Sequence, residues 1–364
     1  MKKLQLIFIA FVLIASDSFA QEIKPPVQFA MAGLNHDHAM NFIPRLAGRM
    51  DVQLVGIVET NADLIARYSK RFHLDSNLFY PSLAALFART NPQAVAIFTS
   101  TFGHEEVVKT CAAHGVDVMM EKPLAANMEQ ACSIEAAVKK GGIQLIVNYE
   151  TTWYPGNQAA YTMVHDEHQI GDIRRIVVHD GHRGPKEIGC STNFLAWLTD
   201  PMLNGGGAIN DFGCYGADLA TWFMDEQKPV SVFAVARHIK PDVYPKVEDD
   251  ATIVLTYPKA EVILQPSWNW AFDRKDMEVY GQTGYVLVPQ SNLLRVRTAK
   301  ASSETEVIPP PVIGANADAL SYLAAVVRGE IKPAGLSSLE ANMIVMEILD
   351  AAHKSVQTGR QIKL

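Results

Sequence analysis

The chain has few cysteines, no cluster of basic residues, no internal repeat, and too few glycines at the one turn where a nucleotide fold most needs them. Its four cysteines, Cys111, Cys132, Cys190 and Cys214, show no C-x-x-C spacing, which excludes the common thiolate metal centres and redox pairs. Two of them fall in stretches with helical spacing, so free, buried thiols are expected. A net charge of −7 spread over 32 basic and 39 acidic residues excludes nucleic acid as the natural partner. A membrane span is also missing: the longest apolar run, Leu4 to Ala15, is shorter than the roughly 20 residues a spanning helix requires. Lys2 and Lys3 precede that run and Ser18-Phe19-Ala20 follows it, the pattern of a secretory signal peptide cut after Ala20. Residues 1–20 are therefore read as a leader. The rest is expected in the periplasm or outside the cell, free of the membrane.

From 21 to 148 short apolar runs alternate with helical stretches. "VQFAMAG", "VQLVGIVE", "AVAIFTS", "VDVMMEKP" and "IQLIVNY" have the length and β-branched content of buried strands, and amphipathic segments such as "NADLIARYSKRF" lie between them. Regular alternation of this kind specifies an α/β Rossmann domain, a doubly wound parallel sheet covered on both faces. From 149 to 364 the rhythm changes to longer alternating runs, "DIRRIVVHDGH", "VSVFAVARH", "DATIVLTYP", "AEVILQPSWNW" and "MEVYGQTGYVLV". These predict an α+β domain with an open, mostly antiparallel sheet, closed by helices that pack back on the first domain.

Three places carry chemistry. "VMMEKPLAANMEQA" puts Glu121 and Lys122 at the end of a strand, the edge where open α/β sheets bind ligands. "GGGAINDFGCYGADLATWF" places Asp211 and Tyr215 four residues apart, on one face of a helix. In "AMAGLNHDHAMNF" an apolar run leads into a helix through a turn with a single glycine, Gly33. Glu59 ends the second apolar run, where an acidic side chain accepts from an adenosine ribose and repels a 2′-phosphate, favouring NAD over NADP. A metal is not expected, since neighbouring residues of the His36-Asp37-His38 triplet should diverge and no partner cluster is evident.

With these residues in view, the chain resembles the glucose-fructose oxidoreductase, inositol dehydrogenase and MocA (Gfo/Idh/MocA) family from Val27 to its final helices. The resemblance implies NAD bound by the first domain and an open sheet whose face commonly mediates homo-oligomerisation. It implies that Lys122 is catalytic, with Asp211 and Tyr215 orienting the substrate and taking up its hydroxyl proton; many members have histidine where this chain has Tyr215, a poor base with an ordinary pKa of about 10. In register with the family, Gly33 keeps the first glycine position, Asn35 replaces the second as the residue most tolerant of left-handed backbone, and His38 the third. His36 and His38 are then expected near the phosphates or the nicotinamide. Ser100 and His104, in the loop after the third apolar run, complete the expected cofactor set with Glu59, Glu121 and Lys122. Asn148, Tyr149, Trp153, His182, Arg183 and Trp268 mix aromatic and polar groups at strand ends, which suits a sugar ring. The implied activity is NAD-dependent hydride transfer on a sugar, polyol or glycoside. Two alternatives stand beside it: a redox-neutral glycosidase with tightly held NAD, which would use the same Lys122, Asp211 and Tyr215, and a sugar-binding protein without catalysis, which the missing glycines would suit.

Overall fold

The computed structural model describes residues 24–364; the leader expected at 1–20 lies outside the described residues. Six parallel strands, β1 (Val27–Ala32), β2 (Val52–Val58), β3 (Phe79–Tyr80), β4 (Ala94–Ile97), β5 (Asp117–Glu121) and β6 (Leu145–Asn148), form a sheet of order β3-β2-β1-β4-β5-β6. The order reverses between β1 and β4, so a crevice opens at their carboxyl ends. Helices α1 (His38–Phe42), α2 (Ala62–Phe72), α3 (Leu83–Phe87), α4 (His104–Ala113) and α5 (Met128–Gly141) connect the strands. Local chemistry marks their ends. Asn61 caps α2 by accepting from Asp63 and Leu64, Asn127 caps α5 by accepting from Gln130, and Gly142 stops α5 in the left-handed region. The two-residue β3 is too short to leave a period in the sequence.

The second sheet contains β7 (Ile173–Gly181), β8 (Ser231–Arg237), β9 (Asp250–Thr256), β10 (Glu261–Ser267), β11 (Arg274–Gly281), β12 (Gly284–Gln290), β13 (Leu293–Thr298), β14 (Thr305–Val307) and β15 (Ile362–Lys363), in the order β14-β13-β12-β11-β7-β10-β9-β8-β15. Every pairing is antiparallel except β7 with β10. Before it comes α6 (Pro155–Tyr161), and between β7 and β8 lie α7 (Thr192–Leu198), α8 (Pro201–Asn204), α9 (Ala208–Asp211) and α10 (Gly213–Phe223); α11 (Ala319–Val327) and α12 (Leu339–Thr358) follow β14. One face of this sheet alternates buried residues such as Ala251, Ile253 and Leu255. They share a core with Leu219 and Phe223 of α10 and with Ile348 and Leu349 of α12. Leu320 and Leu323 of α11 join Phe29 and Met31 of β1 in a separate core, so the chain's late helices brace the first sheet. All four cysteines are free; Cys111 and Cys214 are buried, but Cys132 is exposed and Cys190 half-buried, so burial of all four does not hold.

Candidate active site

Two strand ends and one short helix meet at the junction of the sheets. β5 delivers Lys122 just beyond its last residue, and the Lys122–Pro123 peptide is cis. Asp211 ends α9. The Lys122 Nζ donates to Asp211 Oδ1 at 2.7 Å and to its carbonyl at 2.8 Å, and the Trp268 indole donates to Asp211 Oδ2 at 2.9 Å. The pair is buried, with side chains only 5% and 6% exposed. Burial alone would raise the Asp211 carboxyl, but Lys122 and His182 outweigh it and hold the group below its usual range. Burial likewise opposes a charged Lys122, and Asp211 overcomes it to raise the amine. The lysine is therefore an ammonium, a donor aimed by its carboxylate.

Above the pair lies a cavity of about 540 Å³ whose walls include His38, Lys122, Glu150, His182, Asp211, Tyr215 and Lys275. Five of these were singled out from the sequence, and the fold brings them together across as many as 177 positions. Tyr215 does not fit its expected role. Its ring packs on Tyr149 and Phe212 with the Lys122 and Lys275 ammonium groups 4.9 and 4.8 Å from its centroid. Burial pushes its hydroxyl well above 10, so the tyrosine is a protonated, packed wall. Glu150 and Lys275 were missed. They form an ion pair at the cavity mouth; burial would raise the Glu150 carboxyl, but Lys275 and Tyr154 bring it down to about 2. Glu150 stands directly after Asn148-Tyr149 at the exit of β6, and that adjacency was the available signal.

Further along the carboxyl edge of the first sheet, past the ends of β1, β2 and β4, a groove of about 520 Å³ runs past Gly33, Asn35, Glu59, Ser82 and Thr99. Gly33 has φ +85°, and a Cβ there would meet the Thr99 methyl at 2.8 Å and the Phe98 carbonyl at 2.9 Å. The Glu59 carboxylate closes the turn, accepting from the Leu34, Thr60 and Asn61 amides at 2.8–2.9 Å. Asn35 Oδ1 is buried without a protein partner. A tight glycine turn, an acidic strand end and an orphaned acceptor fit the adenosine half of a dinucleotide, which Glu59, Asn35 and Thr99 would hold. Asn35 is absent from the residues with positive φ, so the left-handed tolerance expected of it is not used. Ser100 caps a short turn beside Thr99 and does not line the groove.

The two histidines of the turn have different surroundings. α7 lies over the turn: the Trp197 indole donates to the Asn35 carbonyl at 3.1 Å, and Ser191 donates to Asp37 from its amide at 2.7 Å and its hydroxyl at 2.6 Å. His36, 1% exposed, packs under Phe194 and Trp197. His38 faces the large cavity, and its Nδ1 lies 2.9 Å from Glu121 Oε2. The rings of His36 and His38 do not diverge; their centroids are 4.5 Å apart, and with Glu121 they form a group that could hold a cation.

Several expected ligand contacts turn out to be supports. The Tyr149 hydroxyl donates to Asn342, and Trp268 is fully buried behind Asp211. Trp153 donates to Asn148, which donates to Glu121. Glu121 is buried and lines a smaller cavity of about 200 Å³ with His38, Asn148 and Trp153. Arg183 is exposed and lines neither cavity. His182 does reach the large cavity, its Nδ1 accepting from the Gly184 amide at 3.0 Å.

His104 is a core residue, 1% exposed, with Nδ1 3.4 Å from the Leu124 carbonyl and Nε2 unpartnered. Burial pushes its imidazole from 6.5 down to about 4. The unfolded chain takes up this proton first, so the contribution of His104 to stability is complete above pH 6.5 and is lost as the pH falls towards 4. The loss is roughly 3 kcal/mol. Urea midpoints measured between pH 7 and 4 should show a shallower decline in His104→Gln than in the wild type; parallel curves would refute the assignment.

Comparison with known proteins agrees with this architecture. The family model described as "Oxidoreductase family, NAD-binding Rossmann fold" matches residues 27–149, and the GFO/IDH/MocA C-terminal domain model matches 158–287. A trans-1,2-dihydrobenzene-1,2-diol dehydrogenase of Xenopus laevis is 26% identical over 257 residues, 68% of this chain and 74% of that protein. An inositol 2-dehydrogenase of Serratia proteamaculans is 27% identical over 256 residues, 69% and 71% of the two chains. The crystal structure of an inositol dehydrogenase homolog complexed with NAD+ from Azotobacter vinelandii superposes with a TM-score of 0.80 at 18% identity, covering 94% of this chain and 98% of that one.

Proposed function

Since the chain belongs to the GFO/IDH/MocA family of NAD(P)-binding oxidoreductases, we propose that it oxidises a secondary hydroxyl of a sugar or polyol with NAD as cofactor. The observation that carries this reading is the buried Lys122–Asp211 pair on the floor of an open cavity at the carboxyl edge of the Rossmann sheet. NAD, when bound, supplies the hydride acceptor. The Lys122 ammonium donates to the substrate hydroxyl oxygen and stabilises the negative charge that grows there as the hydroxyl proton passes to water in the open cavity. Asp211, held by Trp268, keeps the ammonium charged and aimed. Glu150 and Lys275 at the mouth offer an acceptor and a donor to neighbouring ring hydroxyls. The relatives named for inositol and a cyclic diol support a cyclic substrate with adjacent hydroxyls.

Glu59 supports NAD over NADP. Calorimetry should show NAD binding more tightly than NADP, with Glu59→Ala lowering NAD affinity by roughly tenfold or more and narrowing the difference. Nucleotide reduction at 340 nm with a panel of inositols and aldoses tests the reaction; a protein that binds no nucleotide and reduces none with any polyol would sink the reading. The pattern of residues 1–20 supports an address outside the cytoplasm, so the cofactor should travel with the protein and be released as NAD on denaturation. Phe233 and Val235, 39% and 47% exposed on the face of the second sheet away from α12, support self-association, which light scattering will read as a mass above that of one chain.

A further inference from the structure

We propose that His36, His38 and Glu121 bind a divalent cation of the zinc or manganese type in the wall of the catalytic cavity, beside Lys122. Each of the three residues offers one ligand atom, and these atoms lie within 4.8 Å of one another. His38 Nδ1 and Glu121 Oε2 are already 2.9 Å apart. Two ligands about 2.1 Å from a common cation sit roughly 3 Å from each other, so only His36 must draw in, by about 1 Å or more. His36 Nδ1 accepts the His38 amide at 3.2 Å, which places its proton on Nε2 and its lone pair towards His38. A coordinating cation would replace that long contact.

The surroundings favour a cation. Glu121 is a buried carboxylate, and its side-chain partners are His38 and Asn148. The neighbouring Lys122 ammonium is turned to Asp211. A buried carboxylate is costly unless its charge is offset, and a divalent ion held between Glu121 and His38 would add to the compensation that His38 and Lys122 give it. Coordination by His38 Nδ1 requires the tautomer that carries its proton on Nε2. The outer shell is built: Asn148 Nδ2 holds Glu121 Oε1 at 3.1 Å, Trp153 holds Asn148 Oδ1 at 2.9 Å, and Phe194 and Trp197 clamp the His36 ring. A second triplet, His179, Asp276 and Glu278, has comparable spacing, but Arg274 already donates to both Asp276 oxygens at 2.7 and 2.8 Å. Two imidazoles and one carboxylate suit zinc, manganese or iron(II) better than magnesium or calcium, which prefer all-oxygen ligands. His38 borders the cavity, so a bound ion would keep positions open towards the substrate.

The site is independent of the oxidoreductase reading, which rests on Glu59, Gly33 and the Lys122–Asp211 pair. The test uses the full chain, stripped with a chelator and titrated with zinc chloride in a calorimeter at pH 7.5. One equivalent should bind. His38→Ala and Glu121→Gln should each weaken binding by more than about 100-fold, and Asn148→Ala by about 10–100-fold. His179→Ala should leave it unchanged, with circular dichroism confirming that every variant is folded. No saturable zinc binding by the wild type overturns the proposal. So does binding that survives His38→Ala and Glu121→Gln, or that disappears in His179→Ala. Nucleotide binding is measured separately on the same protein, so failure of one reading leaves the other standing.

Discussion

Replacing Lys122 by methionine will lower polyol oxidation by roughly 10²–10⁴-fold and will also make the protein less stable. The two effects have different causes and can be separated. Activity falls because the ammonium group that touches the buried Asp211 carboxylate is lost, and with it the donor that stabilises charge on the substrate oxygen. Stability falls because Asp211 stays buried, with Trp268 as its remaining strong donor; removing one partner of such a pair costs about 3–5 kcal/mol. Adding Asp211→Asn should restore most of the unfolding midpoint by removing the uncompensated charge, while the rate stays low. kcat, KM and a urea melt on the wild type, the single variant and the double variant decide the matter. A Lys122→Met protein that turns over within tenfold of the wild type would show that the pair only holds the domains together.

That pair was legible because it depends on local signals. Lys122 follows a continuous apolar strand, and a strand buried on both faces announces its end by its first charged residues. Asp211 precedes a mostly apolar helix that is buried on nearly every side. What the sequence concealed depends on register and on short elements. Glu150 and Lys275 stand 125 positions apart, and only the antiparallel pairing of β11 with β7 brings Lys275 beside Asp180 at the cavity. α7 has seven residues, too few for a period, yet Trp197 and Phe194 decide where His36 points. The histidine turn was misread for a related reason: side chains two residues apart at the entry to a helix can still face each other, here with rings tilted at 58°, and Glu121 reaches His38 from β5, 83 positions away. For Tyr215 the position was legible and the sign of its pKa was not, since that depends on the depth of its burial and on the carboxylates the fold gathers around it.

The second large effect is expected at a glycine that joins fold to site. Gly181 closes β7 with φ +148°, and a Cβ there would lie 1.8 Å from the Ser267 carbonyl and 2.8 Å from the Trp270 ring. Backbone cannot yield as a flexible side chain can, so Gly181→Ala must part β7 from β10 at their parallel pairing. Overpacking and the unfavourable φ together should cost roughly 2–5 kcal/mol. Gly189→Ala is the control: it has φ +82° with open space around it, and should cost only the left-handed strain of about 1–2 kcal/mol. The damage at Gly181 should also reach the chemistry, because Ser267 precedes Trp268, whose indole holds Asp211. A shift of Ser267 moves that indole and loosens the carboxylate that aims Lys122. Gly181→Ala should therefore lower kcat as well as the urea midpoint, whereas Gly189→Ala should lower the midpoint alone. Equal midpoint shifts in the two variants, with kcat unchanged in both, would mean that β7 and β10 tolerate separation and that Trp268 does not transmit it.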